Sequence, residues 1–213
     1  MNLYRPVKAE ELEKVLLQSA EFFFSEWEKN FRTPPSRERI QFMSKHLGIE
    51  LRDEHIAQVS DYFGSLIFEV PPREIQGVKK LIPDLAEKFP LGLISDTGYI
   101  SGKYIRKFLV QENLDQYFKS YIFSDEQPNS KPHRSVFEKT AHNLNVSLSR
   151  LIHIGDLERT DISGAIQAGC HCIKFINGHR QDAQEPTQAH YVFHDYRNFR
   201  EALEYMISDL NGD

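Results

Sequence analysis

Two carboxylates stand close together in the stretch Leu151-Ile-His-Ile-Gly155-Asp156-Leu-Glu-Arg-Thr-Asp161. The apolar run at its start predicts a buried strand, so Gly155 and Asp156 follow a strand end, where open α/β sheets bind ligands. Two carboxylates there repel each other unless a cation lies nearby. Mg²⁺ is the obvious ion, because it takes oxygen ligands from one or two carboxylates, waters and a substrate phosphate. Asp156 and Asp161 are therefore candidate Mg²⁺ ligands; the alternative is an acidic loop in which Asp161 serves the first turn of a helix.

Polar side chains follow two further predicted strand ends. Ile94-Ser95-Asp96-Thr97-Gly98 offers the Ser95 hydroxyl and backbone amides that could bind an anion; the alternative is a helix-capping turn. Ser130-Lys131-Pro132 fixes a lysine at a loop end, because Pro132 suits the first turn of the following helix. Taken alone, Lys131 is an ordinary solvated lysine. Hydroxyl, lysine and carboxylates on successive strands together predict a site that handles phosphate.

Strands that alternate with helices would position these residues. Apolar runs after residue 73 predict strands, and the segments between them predict helices, which indicates an α/β fold with a doubly wound parallel sheet. Before Pro71-Pro72, apolar residues at helical spacing predict three helices over 8–29, 36–47 and 53–68. We therefore expect a helical module at residues 1–72 and an α/β core at residues 73–213. The predicted strands are Leu91–Ser95, Tyr121–Ser124, Leu151–Ile154, Cys172–Ile176 and Tyr191–Phe193.

Net charge, apolar runs and cysteine content limit the classes of function that this protein can have. A net charge of −5 over 213 residues argues against non-specific nucleic-acid binding. No apolar run is long enough for a transmembrane helix, and the first residues lack the apolar core of a secretory signal. Cys170 and Cys172 fit reduced, buried thiols. We expect a cytoplasmic protein whose partner is a small molecule, not a nucleic acid or a membrane.

The motifs together resemble the haloacid dehalogenase-like (HAD) hydrolases, in the branch with a helical cap near the N-terminus. The resemblance rests on the stretch from Leu91 to Gly98, on Phe123-Ser-Asp-Glu126 followed by Ser130-Lys131-Pro132, and on the stretch from His153 to Gly169. It implies a Rossmann-like core and a cap, formed by the helices before Pro71, that closes over a small phosphorylated substrate.

The resemblance also implies roles for individual residues. Ser95, with Asp96 beside it, would bind the transferring phosphoryl group. Lys131 would steady the charge on the nucleophile and the phosphate. Asp156 would be a Mg²⁺ ligand, and Asp161 would support that metal site. The implied reaction is Mg²⁺-dependent hydrolysis of a phosphomonoester through an aspartyl-phosphate.

One departure from the family concerns the nucleophile. In the family it is the first aspartate of a D-x-D motif, on a strand between those that end here at Ser95 and Asp156. No two aspartates lie two residues apart in this sequence. We therefore expect a chain that lacks the family's first central strand and is inactive as it stands. The alternatives are a catalytically inactive binding or scaffold protein of the same fold, and a 2-haloacid dehalogenase, which needs no metal; the carboxylates Asp156 and Asp161 favour a phosphatase.

Overall fold

The computed structural model describes residues 6–176 and 186–211, which contain eight α-helices and five β-strands. None of the helices in these ranges has both the length and the apolar character needed to cross a lipid bilayer. The helices are α1 (Ala9–Asn30), α2 (Ser36–His46), α3 (Asp53–Glu69), α4 (Val78–Ala86), α5 (Gly102–Gln111), α6 (Arg134–Leu144), α7 (Ser163–Ala168) and α8 (Phe199–Asn211). The strands are β1 (Leu91–Ser95), β2 (Phe118–Phe123), β3 (Ile152–Gly155), β4 (His171–Phe175) and β5 (Tyr191–Phe193).

The N-terminal helices follow the apolar periodicity of the sequence. Residues 6–70 contain α1, α2 and α3 and no strand. Helix α2 packs against both α1 and α3. The apolar stripes of the three helices meet in one cluster that includes Val15, Ile40, Met43 and Ile56. Burial of these stripes stabilises the helices more than intrinsic propensity does.

The chain divides into two compact units. The first comprises the described residues up to Pro72 together with Ser95–Glu112 and Phe123–Ser130. The second comprises Arg73–Ile94, Asn113–Ile122 and the described residues from Lys131 onward. The first unit thus contains the N-terminal helices and also the segments that follow β1 and β2. The division into a cap at residues 1–72 and a core at residues 73–213 stays a prediction.

The strands form two sheets among the described residues. β3 and β4 are parallel, with Ile152 opposite His171, and β4 and β5 are parallel, with Ile173 opposite Tyr191. β1 and β2 pair with each other in a separate two-stranded sheet. The predicted α/β fold with N-terminal helices and parallel strands is confirmed. The described strands do not form one continuous sheet, and the two sheets they form separate between the strands that end at Ser95 and Gly155, where the family's first strand is expected to be lacking. A single doubly wound sheet stays a prediction.

Helices cover both faces of the three-stranded sheet. On one face, Cys172 of β4 joins a cluster with α6 and α7 that includes Phe137 and Ala165. On the other face, Ile173 joins a cluster with α4 and α8 that includes Phe199. Successive residues of a strand point to opposite faces, so β4 supplies both clusters. A strand buried on both faces reads in sequence as a short, nearly continuous apolar run.

Candidate active site

The acidic loop after β3 returns tightly onto the end of its own strand. Asp156 and Leu157 leave the strand, a π-helical turn covers Glu158–Ile162, and α7 follows. A Cβ atom added at Gly155 would lie 2.3 Å from Asp161 Cγ, well inside van der Waals contact. Only glycine permits this approach of the Asp161 side chain to the strand end. The glycine in this motif therefore has a packing reason in addition to its freedom to turn.

Asp161 is almost completely buried and is bonded to three donors. Lys131 Nζ donates to its Oδ1 atom at 2.7 Å, and His153 Nε2 lies 2.9 Å from the same oxygen. Because a carboxylate is only an acceptor, His153 Nε2 carries the hydrogen of this bond. The Leu157 amide donates to Oδ2 at 3.0 Å. The structure thus brings Asp161 together with Lys131, which lies 30 residues earlier in the chain.

The electrostatics of this cluster keep Asp161 ionised. Burial alone would raise the pKa of the Asp161 carboxyl, but the charge of Lys131 and the hydrogen bond from His153 outweigh it and hold the pKa below its usual range. The side chains of Lys131 and Asp161 are 12% and 3% exposed, respectively, so solvent screens the pair weakly. Asp161 is therefore ionised near neutral pH, and its charge fixes the position of the Lys131 ammonium group.

Asp156 offers a more open carboxylate in the same loop. It is half-buried, directly after β3. Burial and the charge of Asp156 raise the pKa of Tyr196 to about 12. The Thr160 hydroxyl is buried in this loop and has no hydrogen-bond partner within residues 6–176 and 186–211. No group of three or more His, Cys, Asp or Glu side chains that could hold a metal occurs in residues 6–176 and 186–211. Mg²⁺ needs only one or two carboxylates besides water and phosphate, so the single carboxylate of Asp156 is compatible with that ion.

A second buried ion pair ties the acidic loop to β4. Lys174, on β4, is fully buried, and its Nζ donates to Glu158 Oε2 at 2.9 Å. The Gln188 amide donates to Glu158 Oε1 at 2.8 Å. Burial raises the pKa of Glu158, but the bonds from Gln188 and Lys174 outweigh it and lower the pKa below its usual value. Glu158 therefore anchors the loop between Asp156 and Asp161 to its neighbouring strand.

Lys131 precedes a helix whose first turn differs from the predicted one. The Lys131–Pro132 peptide bond is cis. Helix α6 begins at Arg134, and the His133 side chain accepts a hydrogen bond from the Ser135 amide. Pro132 thus lies before the N-cap. The preference of proline for helix starts predicted that it would lie in the first turn, and that prediction is wrong. Histidine is an uncommon N-cap, which is why the sequence pattern does not reveal this start.

The segment after β1 is tied to the end of β2 within the first unit. Ser95 is the half-buried last residue of β1, and the Asp96 carboxylate accepts from Trp27 Nε1 at 3.2 Å. The Thr97 backbone amide donates to Ser124 Oγ at 2.7 Å. The Thr97 hydroxyl donates to Asp125 Oδ1 at 2.8 Å. Asp125 also accepts from the amide that begins α5. These bonds fix the backbone that presents Ser95 and Asp96.

The predicted site residues therefore fall into two groups. Ser95 and Asp96 belong to the first unit, and Lys131, Asp156 and Asp161 belong to the second. Their convergence on one phosphate and one Mg²⁺ ion stays a prediction. The sequence pattern missed His153, whose position two residues before Gly155 in a strand is a signal that it faces the same side as that residue. It also missed Thr97, which follows β1, and Asp125, which follows β2. The hydrogen bond between their side chains holds the segment after β1 in place.

Known proteins with similar sequences include glyceraldehyde 3-phosphate phosphatases and phosphoglycolate phosphatases. Glyceraldehyde 3-phosphate phosphatase from Pyrococcus furiosus is 32% identical over 135 residues, which are 62% of this chain and 55% of that protein. Phosphoglycolate phosphatase from Escherichia coli (strain K12) is 22% identical over 170 residues, 79% of this chain and 61% of that protein. The chain spans about half the length of the glyceraldehyde 3-phosphate phosphatases that it matches.

Solved structures share the fold. YfnB from Bacillus subtilis, a HAD-hydrolase structure bound to magnesium, has a TM-score of 0.63 at 19% identity over 93% of this chain and 85% of that chain. A 2-haloacid dehalogenase from Pseudomonas syringae pv. Tomato DC3000 has a TM-score of 0.62 at 20% identity over 94% and 83% of the two chains. The sequence profile of the haloacid dehalogenase-like hydrolases matches residues 12–175. The chain belongs to the haloacid dehalogenase-like hydrolase family.

Proposed function

We propose that this chain supplies the phosphate-binding and Mg²⁺-binding parts of an enzyme that hydrolyses a small phosphomonoester. Ser95, the amide of Asp96 and Lys131 each bind the phosphoryl group. Asp156 is a ligand of Mg²⁺. The helices of residues 1–72 form a cap over a doubly wound core in residues 73–213.

The buried Lys131–Asp161 pair carries this proposal. A buried ammonium group is costly unless a carboxylate compensates it, and Asp161 does so at 2.7 Å. The pair stands at the end of β3, beside the loop that carries Asp156. An ammonium held in place before the reaction stabilises the charge that develops on a transferring phosphoryl group.

Mg²⁺ fits Asp156 better than Asp161. Three donors already occupy Asp161, whereas the half-buried Asp156 follows the strand end directly. Mg²⁺ keeps several waters and uses one or two carboxylates together with substrate phosphate oxygens. Asp161 then supports the metal site by orienting Lys131 and the loop. The metal would supply positive charge beside the phosphoryl oxygens.

A phosphatase is favoured over a dehalogenase by the two carboxylates and by the related enzymes. The names of the relatives, glyceraldehyde 3-phosphate phosphatase and phosphoglycolate phosphatase, support a small phosphorylated substrate. An aspartyl-phosphate needs a carboxylate nucleophile, and no two aspartates of the 213 residues are separated by a single residue. We propose that these residues bind Mg²⁺ and phosphate without forming that intermediate by themselves. This observation also keeps an inactive binding protein of the same fold as the second candidate.

Calorimetric titration of the 213-residue chain with inorganic phosphate, with and without MgCl₂, tests the proposal. We expect Mg²⁺-dependent phosphate binding that Lys131→Ala weakens by about tenfold or more, because a charge-assisted contact is lost. Ser95→Ala should weaken it less, and Asp156→Asn should remove the dependence on Mg²⁺. Lys139→Ala, an exposed lysine on α6, is the matched control and should leave binding unchanged.

Circular dichroism of each variant separates loss of the site from loss of the fold. Phosphate binding that is absent from the folded wild-type chain, or that folded Lys131→Ala retains in full, would refute the proposed function. If Lys131→Ala does not fold, phosphate titration of Ser95→Ala and Asp156→Asn tests the same proposal at two other residues of the proposed site.

A further inference from the structure

A buried arginine in the first unit faces the segment that follows β1. Arg39, on α2, is only 6% exposed. Its guanidinium carbon lies over the Tyr99 ring, 3.6 Å from the centroid of that ring. The same carbon lies 5.0 Å from the centroid of the Phe23 ring. Arg39 Nε donates to Ser19 Oγ at 3.2 Å, and Tyr99 and Ser19 bond through their hydroxyls at 2.9 Å. These contacts fix the plane and the direction of the guanidinium group.

No carboxylate within the described residues compensates the charge of Arg39. Arg39 donates to Ser19 Oγ and, at 3.4 Å, to the Ser19 carbonyl, and its side chain also interacts with that of Tyr99. Burial lowers the pKa of Arg39, and Tyr99 partly opposes that shift. Buried charges are normally paired, and aromatic faces compensate a cation only in part. The arrangement therefore resembles one half of an ion pair whose anion comes from another molecule.

The Arg39 guanidinium group lies next to Gly98, with Nη1 nearest to that glycine. A Cβ atom added at Gly98 would meet only Arg39 Nη1, at 3.7 Å, among atoms beyond its chain neighbours. Gly98 lies three residues after Ser95, so the two Cα atoms are at most about 11 Å apart. An anion at Arg39 Nη1 and a phosphate at Ser95 are thus within the span of one small molecule.

We propose that Arg39 binds a carboxylate of the substrate, which makes the substrate a phosphorylated carboxylic acid. This inference rests on the proposed function, because it places the phosphate of the same molecule at Ser95. A guanidinium group binds a carboxylate through two parallel N–H donors, and the Tyr99 ring beneath it keeps that plane fixed. A phosphorylated aldehyde or alcohol would leave the Arg39 charge uncompensated and bind more weakly.

Two ligands of nearly the same shape test this inference. 2-Phosphoglycolate carries a carboxylate, and isobutyl phosphate carries two methyl groups in place of the carboxylate oxygens. Calorimetric titration with MgCl₂ should show that the wild-type chain binds 2-phosphoglycolate about tenfold or more tightly than isobutyl phosphate. Arg39→Met should abolish that preference and change the affinity for isobutyl phosphate by less than about twofold. Arg37→Met, on the same helix and half exposed, should leave both affinities unchanged.

Gly98→Ala provides a second variant that keeps the arginine. Its added methyl group would occupy the space next to Arg39 Nη1, so it should weaken 2-phosphoglycolate selectively. Equal weakening of both ligands by Arg39→Met would show that Arg39 only holds the helices and the loop together. Equal affinities in the wild-type chain would refute carboxylate recognition while the phosphate site stands. Binding of neither ligand would refute this inference and the proposed function together.

Discussion

Asp161 is a single buried carboxylate that fixes the positions of three hydrogen-bond donors. Its oxygens accept from Lys131, His153 and the Leu157 amide. The exposed ion pair between Arg134 and Glu138 on α6 has the same 2.7 Å separation but is open to solvent on both sides. Solvent screening makes the exposed pair a weak contributor to stability, whereas removal of one buried partner leaves an uncompensated charge.

Asp161→Asn should destabilise the chain by about 3 kcal/mol, because it leaves Lys131 buried beside a neutral amide. Urea unfolding measures the change. The matched control is Glu138→Gln, which removes the exposed partner of Arg134 and should change stability by less than about 1 kcal/mol. Lys131→Met combined with Asp161→Asn should recover part of the loss. Similar effects of Asp161→Asn and Glu138→Gln would contradict the assigned burial.

The lowered pKa of Asp161 gives its contribution a defined dependence on pH. Its pKa lies below the ordinary value of 3.8 in the folded protein. The stabilisation is therefore present above about pH 4 and lost as the pH falls through the lower, folded value. The difference in unfolding free energy between wild type and Asp161→Asn should shrink below about pH 4. A difference that stays constant from pH 6 to pH 2.5 would be inconsistent with an ionised Asp161.

The loop from β3 to α7 is the element that brings Asp161 into contact with Lys131 and His153. It contains Asp156, the π-helical turn and Asp161, and its two fixed points are Gly155 and the Glu158–Lys174 ion pair. The turn brings Asp161 back against the strand end from which Asp156 leaves. The two carboxylates of one short motif consequently have different environments, and we assign them different tasks.

Gly155→Ala should disturb this element selectively. The new methyl group would lie 2.3 Å from Asp161 Cγ, so the start of α7 has to shift. We expect a destabilisation of about 1–3 kcal/mol, together with loss of phosphate binding. Gly98→Ala is the matched control for stability, because its methyl group meets one side-chain nitrogen at 3.7 Å. Thermal unfolding of both variants gives the comparison, and equal midpoints would show that the loop tolerates the extra atom.

At the scale of the whole molecule, the residues proposed to bind metal and phosphate are distinct from a catalytic nucleophile. The described residues contain a lysine held by a buried ion pair, a candidate metal ligand and a candidate phosphate-binding segment. None of these groups is a carboxylate nucleophile placed by a D-x-D motif, and Ser95 has no hydrogen bond to a base among the described residues. Loss of a nucleophile typically removes several orders of magnitude in rate, while the electrostatic groups retain a small part of the effect.

The 213-residue chain should therefore not hydrolyse p-nitrophenyl phosphate at an enzymatic rate, with or without Mg²⁺. Release of p-nitrophenolate, measured beside Asp156→Asn, provides the test. We expect both proteins to stay near the background rate. Robust Mg²⁺-dependent hydrolysis by the wild-type chain that Asp156→Asn abolishes would show that a residue of this chain serves as nucleophile after all.

The sequence alone determined the elements and the strand ends. Apolar runs and helical spacing located the strand at Leu91–Ser95 and the three N-terminal helices to within about two residues. The same local signals placed Ser95 and Asp156 at strand ends. These features could be predicted because each depends on neighbours within a few positions along the chain.

Only the tertiary structure decided which groups meet. It paired Lys131 with Asp161 across 30 residues, stacked Arg39 on Tyr99, and divided the strands into two sheets. The two aspartates of one motif are alike in sequence, yet burial and three donors made Asp161 an internal counter-charge. Such outcomes depend on desolvation and on packing between distant segments, which no local pattern of residues encodes.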